Sequence, residues 1–328
     1  MNLHNFVELC MCPAPLGNEH TAKQLIRSML PNGLEISEDV AGSAIVRKPG
    51  EKPGLTFFAS LSQPVVLVTG KKSDGAWELQ PLGTGKTLEP MNGWKVMDSG
   101  GAQAKLEVKD GVLRLTEDRG VQIGSLLTRQ PDWTQDVLSV SCAGIEDRVG
   151  CWLLTELLRE MPDVKAEITC IFLAQEQHCT KVAELAMNET DAAVAIRLAS
   201  AKVNDINLTG APVNAGGGPV LKLRERYVST DGRLMDLERM ACREAGVPFQ
   251  YEVQELDVTG LCTAQYGHCG VVVGGIDVPA EEGRILLTDL RNTRALVMQL
   301  AANADQIQQA LCSLPAVQHL AQTTKEER

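Results

Sequence analysis

Residues 141–328 alternate between uninterrupted apolar runs and amphipathic segments, and this alternation restricts the fold more than any other feature of the chain. The runs "AEITCIFLA" (166–174) and "DAAVAIRLA" (191–199) lack the strict polar–apolar alternation of a half-exposed strand. The segments "RVGCWLLTELLREM" (148–161) and "CTKVAELAM" (179–187) have the spacing of helices that bury one face. Strands that are apolar on both sides need helices on both faces of their sheet. The sequence therefore predicts an α/β fold that binds ligands at the carboxyl ends of its strands.

Residues 64–140 show a different pattern. They contain short strand-like pieces, such as "AKLEVKDG" (104–111), that are broken by Gly, Pro and Asp-Gly, and no convincing helical spacing. Asp110-Gly111 between two alternating segments is typical of a hairpin turn. We expect residues 64–140 to form a small all-β domain, inserted into an α/β domain made of residues 1–63 and 141–328.

The charge and the apolar runs of the chain exclude two classes of partner. The net charge is -11, whereas binding to nucleic acid needs a clustered excess of Lys and Arg. No apolar run approaches the ~20 residues of a membrane helix, and the first residues do not resemble a signal peptide. We therefore expect a cytoplasmic protein whose ten cysteines are reduced thiols.

Two groups of residues resemble cofactor motifs without matching them. The segment "QPLGTGKT" (80–87) ends like a phosphate-binding loop, but it begins with Gln80 and no helix former follows it, so we interpret it as a turn. The pairs Cys10/Cys12, His178/Cys179 and His268/Cys269 lack the paired spacing of a structural zinc site. We interpret them as packed or surface groups.

A more specific signal is the segment "AGIEDRVGCWLLTELLRE" (143–160). It resembles the "a-x-D-D-R-x-G" stretch and following helix of the glutamyl-aminopeptidase and tetrahedral-aminopeptidase family of di-metal peptidases, which includes proteins named as endoglucanase-like cellulase M. Other segments fall in the family's order along the chain: "PLGNEHTAKQLI", "LTFFASLSQ", "FLAQEQ", "AGGGPVLKL" and "CGVVVGG". The resemblance implies a zinc-peptidase-like fold with a mixed central sheet and an inserted small β-barrel of the dimerisation type.

The resemblance also implies where two divalent metal ions, usually zinc or cobalt, would be held. In the family, a neighbouring Glu activates the bridging water, and Glu176 occupies this general-base position. Asp147 stands beside the ligand positions as a pocket residue. The six positions that correspond to metal ligands are Ser60, Ser62, Glu146, Gln177, Arg197 and Arg284. Serine, amide and guanidinium groups are poor ligands for a catalytic divalent metal, so we expect no metal cofactor.

The two arginines suggest how the site could be neutral without metal ions. A guanidinium is permanently charged and pairs with carboxylates in a bidentate manner. We hypothesise that Arg197 and Arg284 take over the charge balance of the metals by pairing with Glu146, Glu176 or Asp147.

The leading functional interpretation is an inactive member of this family. It would keep a pocket for a peptide or another small ligand, such as an anion bound through the arginines, or serve in assembly. Family members form dimers and dodecamers, which favours a homo-oligomer.

Two alternatives stay open. The first is an active aminopeptidase with two divalent metal ions, zinc or cobalt, held by ligands from Glu146, Asp147, Glu176, His178 and His268. The second is a non-metal enzyme that uses Glu176 as an acid or base beside an arginine clamp.

Overall fold

The computed structural model describes residues 1, 3–83, 88–204, 212–254, 259–267 and 270–312. The α-helices in these ranges are α1 (Leu3–Met11), α2 (His20–Met29), α3 (Val149–Arg159), α4 (Lys181–Asn188), α5 (Gly232–Ala245), α6 (Gly260–Ala264), α7 (Leu287–Ala302) and α8 (Ala304–Cys312). None of these helices has the length and apolar character needed to span a bilayer.

The strands in the same ranges belong to three sheets. In chain order they are β1 (Glu35–Glu38), β2 (Ala44–Lys48), β3 (Glu51–Ser60), β4 (Val65–Lys71), β5 (Trp77–Leu82), β6 (Lys95–Met97), β7 (Gln103–Lys109), β8 (Val112–Arg119), β9 (Leu126–Arg129), β10 (Thr134–Gln135), β11 (Ser139–Ser141), β12 (Ala166–Leu173), β13 (Ala192–Lys202), β14 (Val220–Glu225), β15 (Val228–Ser229), β16 (Gln250–Gln254), β17 (Val272–Ala280) and β18 (Arg284–Leu286).

The largest sheet has nine strands and mixed direction. Its order is β1-β2-β12-β3-β13-β17-β14-β15, and β16 pairs with β14. The central strands β12, β3, β13 and β17 are parallel, whereas β2 and β14 run antiparallel to their central neighbours. The prediction of a mixed central sheet is therefore confirmed.

Both faces of this sheet are covered, as its apolar strands require. On β12, Ile168, Cys170 and Phe172 belong to the core that also contains side chains of α1, α3, α5, α7 and α8. The alternate residues Ile171 and Leu173 belong to a second core with side chains of α4 and α6. Successive side chains of a strand point to opposite faces, so a run that is apolar throughout fills both cores.

A separate six-stranded sheet, in the order β5-β4-β9-β6-β7-β8, is built from residues 65–129. Its end strands approach each other, and the Trp77 indole on β5 donates a hydrogen bond to the Asp118 carboxylate on β8, so the sheet is a nearly closed barrel. Asp110 and Gly111 have φ values of 53° and 69° and join β7 to β8, which confirms the predicted hairpin turn. The expected domain limits at residues 64 and 140 stay a prediction.

The start of α3 lies directly against the central sheet. A Cβ atom added at Gly150 would lie 2.2 Å from the carbonyl oxygen of Leu198 and 2.9 Å from the Cβ of Ala59. Only glycine permits this approach, which holds the preceding turn, Ile145–Asp147, beside β13, where Ser200 Oγ donates to the carbonyl oxygen of Glu146.

We expect Gly150→Ala to lower the free energy of unfolding by about 3 kcal/mol, because backbone atoms must move to make room. The matched control is Gly232→Ala, at a helical position with no atom within 4 Å of the added Cβ, which should change stability by less than about 1 kcal/mol. Urea denaturation measures both values. Equal stability of the two variants would contradict the close approach of α3.

Glu238 on α5 is a fully buried carboxyl group. No described residue donates a hydrogen bond to either of its oxygens, and Oε1 lies against the backbone of Gly274. Burial raises the pKa of Glu238 to about 8, and Arg239 lowers it only in part. The folded protein therefore holds a proton here that the unfolded chain releases at a lower pH.

Because the folded-state pKa of Glu238 lies above the unfolded value of about 4.3, its contribution should make stability fall as the pH rises between these values. Glu238→Gln should match the parent protein at pH 4 and exceed its stability at pH 8 by on the order of 3 kcal/mol. Urea denaturation of both proteins at the two pH values tests this. A stability difference that does not change with pH would refute it.

Candidate functional site

A cavity of about 320 Å³ lies between the central sheet and the six-stranded sheet. The central domain contributes Gln63, Asp147 and Gln177 to its walls, from the segments that follow β3, β11 and β12. The six-stranded sheet and its connections contribute Met91 and Trp94. The cavity thus lies at the strand ends where the sequence places the former metal site, and one wall is apolar.

The carboxyl group of Asp147 accepts a hydrogen bond from the side-chain amide of Gln177, at a position where the family has a carboxylate. Gln177 Nε2 donates to Asp147 Oδ1 at 3.5 Å. Burial and the neighbouring Glu146 together raise the pKa of Asp147 to about 7, although Arg148 and Arg129 act to lower it. Near neutral pH a large fraction of Asp147 is therefore protonated, which reduces its repulsion by Glu146.

Glu146 is paired with the backbone. Its Oε1 accepts a hydrogen bond from the amide of Gly283, and its own carbonyl oxygen accepts one from Ser200 Oγ at 3.4 Å. Burial raises the pKa of the Glu146 carboxyl, whereas the Gly283 amide and the Arg129 guanidinium lower it. The protein itself therefore supplies the donors to this carboxyl group, which the family resemblance aligns with a metal ligand.

Glu176, at the general-base position, faces the first turn of α6. It is buried, and its Oε1 accepts a hydrogen bond from the amide of Gly260 at 2.6 Å. A Cβ atom at residue 260 would lie 3.2 Å from this oxygen, so the glycine allows the close contact. Gln175 turns the chain with a φ of 59° just before Glu176. One oxygen of the predicted general base is thus occupied by the protein itself.

Arg148 fixes the turn that carries Glu146 and Asp147. It is 1% exposed, and its two Nη atoms donate to the carbonyl oxygens of Leu61 at 2.7 Å and Cys12 at 3.1 Å. The guanidinium thereby joins the start of α3 to the segment after β3 and to the end of α1.

The hydroxyl groups of Ser60 and Ser62 both donate hydrogen bonds to other groups of the protein. Ser60 Oγ donates to the carbonyl oxygen of Ser62 at 3.5 Å. Ser62 is fully buried and donates to Glu19 Oε1 at 2.7 Å. The same oxygen of Glu19 accepts hydrogen bonds from the amides of Gly17 and Gln175. Sequence reasoning missed Glu19, whose role depends entirely on distant parts of the chain.

Arg197 pairs with a carboxylate other than the three expected. Its Nη1 lies 3.8 Å from Oδ1 of the buried Asp277, whose Oδ2 is 2.9 Å from Lys222 Nζ. The reason is strand register, since Arg197 lies opposite Gly275 on β17, and Asp277 is on the same face two residues later. Burial alone would lower the pKa of Arg197, and the charges of Glu176 and Asp277 raise it. Of these charges that of Glu176 has the larger effect, so Arg197 does balance one of the three expected carboxylates through its field, while the carboxylate oxygen near its Nη1 belongs to Asp277.

The predicted pairing of Arg284 with Glu146, Glu176 or Asp147 is wrong. Arg284 Nη1 lies 2.9 Å from Glu281 Oε2 and its Nε donates to Ser139 Oγ, and the side chain is 41% exposed. Its neighbour on β18, Ile285, takes the buried face of this short strand, so Arg284 points the other way.

Arg129, the last residue of β9, is the arginine that faces the pocket carboxyl groups. Its guanidinium lies 4.4 Å from the ring centroid of Trp94, and its charge lowers the pKa of both Glu146 and Asp147. Arg129 and Trp94 also line a second cavity of about 370 Å³ that adjoins the first. No motif marks Arg129 in the sequence, because only the docking of the six-stranded sheet brings it to the site.

The donor set of the site does not fit two divalent metal ions. Of the six ligand positions, only Glu146 has an anionic oxygen, and a backbone amide already donates to it. Residues that the structure describes contain no group of three or more His, Cys, Asp and Glu side chains able to hold a metal ion. His178 and Cys179 are exposed. His268, Cys269 and residues 84–87 of the glycine-containing segment lie outside the described residues.

The comparisons with known proteins agree with the fold. The family model of the M42 glutamyl aminopeptidases matches residues 113–285, which is more than half of the chain. The chain belongs to the M42 glutamyl aminopeptidase family.

Solved structures with the M42-type fold cover nearly the whole chain. A TET aminopeptidase from the marine sediment archaeon Thaumarchaeota archaeon SCGC AB-539-E09 is 17% identical, with a TM-score of 0.82 over 92% of this chain and 96% of its own. An aminopeptidase from Desulfurococcus kamchatkensis is 16% identical, with a TM-score of 0.83 over 95% and 98%. The TET1 peptidase of Pyrococcus horikoshii, which can assemble into a tetrahedron or a large octahedral shell, is 17% identical, with a TM-score of 0.79 over 91% and 98%.

In this M42 chain, Arg148 should be essential for stability. Arg148→Met leaves two buried carbonyl oxygens without a donor and should lower the free energy of unfolding by about 2 kcal/mol or more. Arg159→Met, an exposed arginine at the end of the same helix, should change it by less than about 0.5 kcal/mol. Denaturant titration compares the two, and equal effects would contradict the structural role of Arg148.

Proposed function

We propose that this M42 family protein is inactive as a metallopeptidase and retains the former active-site cavity as a binding pocket for short peptides. The observation that supports the proposal most is that three carboxyl groups of the site each accept a hydrogen bond from the protein. Asp147 accepts from Gln177, Glu146 from the Gly283 amide, and Glu176 from an amide of α6. A site whose carboxyl groups already have protein donors has no need of metal ions to be stable.

The chemistry of the cavity supports a peptide as the ligand. Glu146 and Asp147 offer acceptor oxygens for an ammonium group such as a peptide N-terminus. Met91 and Trp94 offer apolar surface on the opposite wall. Cavities of about 300–1,000 Å³ that combine apolar walls with a few convergent polar groups are typical of small-molecule sites. Anion binding through Arg197 and Arg284 has less support, because Arg284 donates to Glu281 and the buried charge of Arg197 is balanced by the charges of Glu176 and Asp277.

A homo-oligomer is the assembly that we propose for this protein, which we place in the cytoplasm. The support comes from relatives with the same fold, including the tetrahedral and octahedral assemblies of the Pyrococcus horikoshii TET1 peptidase. In this proposal, residues 64–140 form the inserted domain that contributes to assembly.

The purified protein, dialysed against zinc or cobalt and then against buffer, should contain no stoichiometric metal. It should also hydrolyse leucine p-nitroanilide no faster than Glu176→Gln does. The physical reason is that serine, amide and guanidinium groups occupy five of the six ligand positions. Elemental analysis and absorbance of released nitroaniline measure the two quantities.

Two outcomes would overturn this proposal in different ways. Stoichiometric metal together with turnover that Glu176→Gln abolishes would establish an aminopeptidase with shifted ligands. Turnover that persists in chelator and disappears in Glu176→Gln would establish a non-metal enzyme that uses Glu176 as acid or base.

A further inference from the structure

The guanidinium of Arg129 has N–H donors that no described residue accepts from. Its side chain is 22% exposed, and its one ion contact among the described residues is with Glu282, whose Oε1 is 3.9 Å away from Nη2. That separation is longer than a hydrogen bond, and Glu282 is itself 64% exposed. No described residue accepts a hydrogen bond from this guanidinium, which carries five N–H donors.

Trp94 fixes the position of these free donors. The guanidinium carbon lies 4.4 Å from the centroid of the indole ring, a cation–π contact that holds the side chain in place. Arg129 and Trp94 line both cavities, so this side chain lies where the two cavities adjoin. A ligand that extends from one cavity into the other passes Arg129.

The other cations of the second cavity are less suited to bind a ligand anion. Lys222 Nζ is 2.6 Å from Glu252 and 2.9 Å from Asp277, so its charge is already balanced. Lys202 is exposed at the rim. Arg129 is therefore the cation of this junction that is both sheltered from water and free to donate.

We propose that Arg129 binds a carboxylate of the peptide ligand whose ammonium group is held by Glu146 and Asp147. This inference rests on the proposed function and deepens it, because it makes the ligand a short zwitterionic peptide. A planar carboxylate matches the fork of N–H groups on a guanidinium. A doubly charged group such as phosphate fits less well, because the carboxylates of Glu146, Glu281 and Glu282 also line the second cavity.

Calorimetric titration with matched peptides tests the proposal on the full-length protein. The probes are Leu-Leu, Leu-Leu-amide, Leu-Glu-amide and N-acetyl-Leu-Leu. We expect Leu-Leu to bind about tenfold more tightly than Leu-Leu-amide, as a charge-assisted hydrogen bond to a guanidinium predicts. Leu-Glu-amide shows which carboxylates Arg129 accepts: binding as tight as that of Leu-Leu means that a side-chain carboxylate can take the place of the C-terminus, and weaker binding restricts the site to the C-terminus.

Two variants that each remove one positive charge show whether the peptide carboxylate contacts Arg129 directly or only responds to the overall charge of the cavity. Arg129→Gln should bind Leu-Leu and Leu-Leu-amide equally, whereas Lys202→Gln should keep the tenfold preference. Thermal unfolding of each variant shows whether the fold is kept. If the Arg129→Gln variant does not fold, Arg129→Lys takes its place and should show a preference weaker than that of the parent protein, because an ammonium group lacks the guanidinium fork.

The outcomes distinguish this inference from the proposed function. Equal binding of Leu-Leu and Leu-Leu-amide by the parent protein, or a preference that survives in Arg129→Gln, would overturn the role of Arg129 while leaving the peptide pocket intact. Binding of N-acetyl-Leu-Leu as tightly as Leu-Leu, or no binding of any probe, would overturn the peptide pocket itself.

Discussion

Three carboxyl groups, those of Glu146, Asp147 and Glu176, lie near one another in this site, and the electrostatics of the site depend on the donors that the protein supplies to them. Burying a charge that has no partner costs several kcal/mol, so such a cluster persists only if other groups supply positive charge or donors. Here Gln177 donates to Asp147, and backbone amides of Gly283 and Gly260 donate to Glu146 and Glu176. Burial also raises the pKa of Asp147 to about 7, so part of the charge is removed by a proton.

The donors to these carboxyl groups come from segments that are far apart in the chain, so the site forms only when the whole domain is folded. Gly283 precedes β18, Gly260 begins α6, and Gln177 follows β12. Arg148 joins the turn Ile145–Asp147 to the segment after β3 by donating to the carbonyl oxygen of Leu61. Arg129 reaches the cavity from the six-stranded sheet. The cavity is therefore closed on one side by the central sheet and on the other by the barrel.

The sequence predicts the fold well, because continuous apolar strands can be satisfied only by helices on both faces of a sheet. The segments "EDRVG" and "QEQ", which the resemblance singles out, come together in the structure, where Gln177 donates to Asp147. The predicted charge pairing is wrong for Arg284 and holds for Arg197 only through the field of Glu176. The partner of Arg197 is set by its register against β17, which brings Asp277 to its side, and Arg284 points outward because Ile285 takes the buried face. Arg129 carries no local signal, because its place over Trp94 exists only after the barrel docks.

Anomalous X-ray diffraction at the zinc edge, from crystals grown in excess zinc, tests most directly whether donors of the protein have replaced the metal ions. We expect no anomalous peak between Glu146 and Glu176, with the Gln177 amide in contact with Asp147. One or two strong peaks within bonding distance of these carboxylates, with Gln177 turned away, would contradict it.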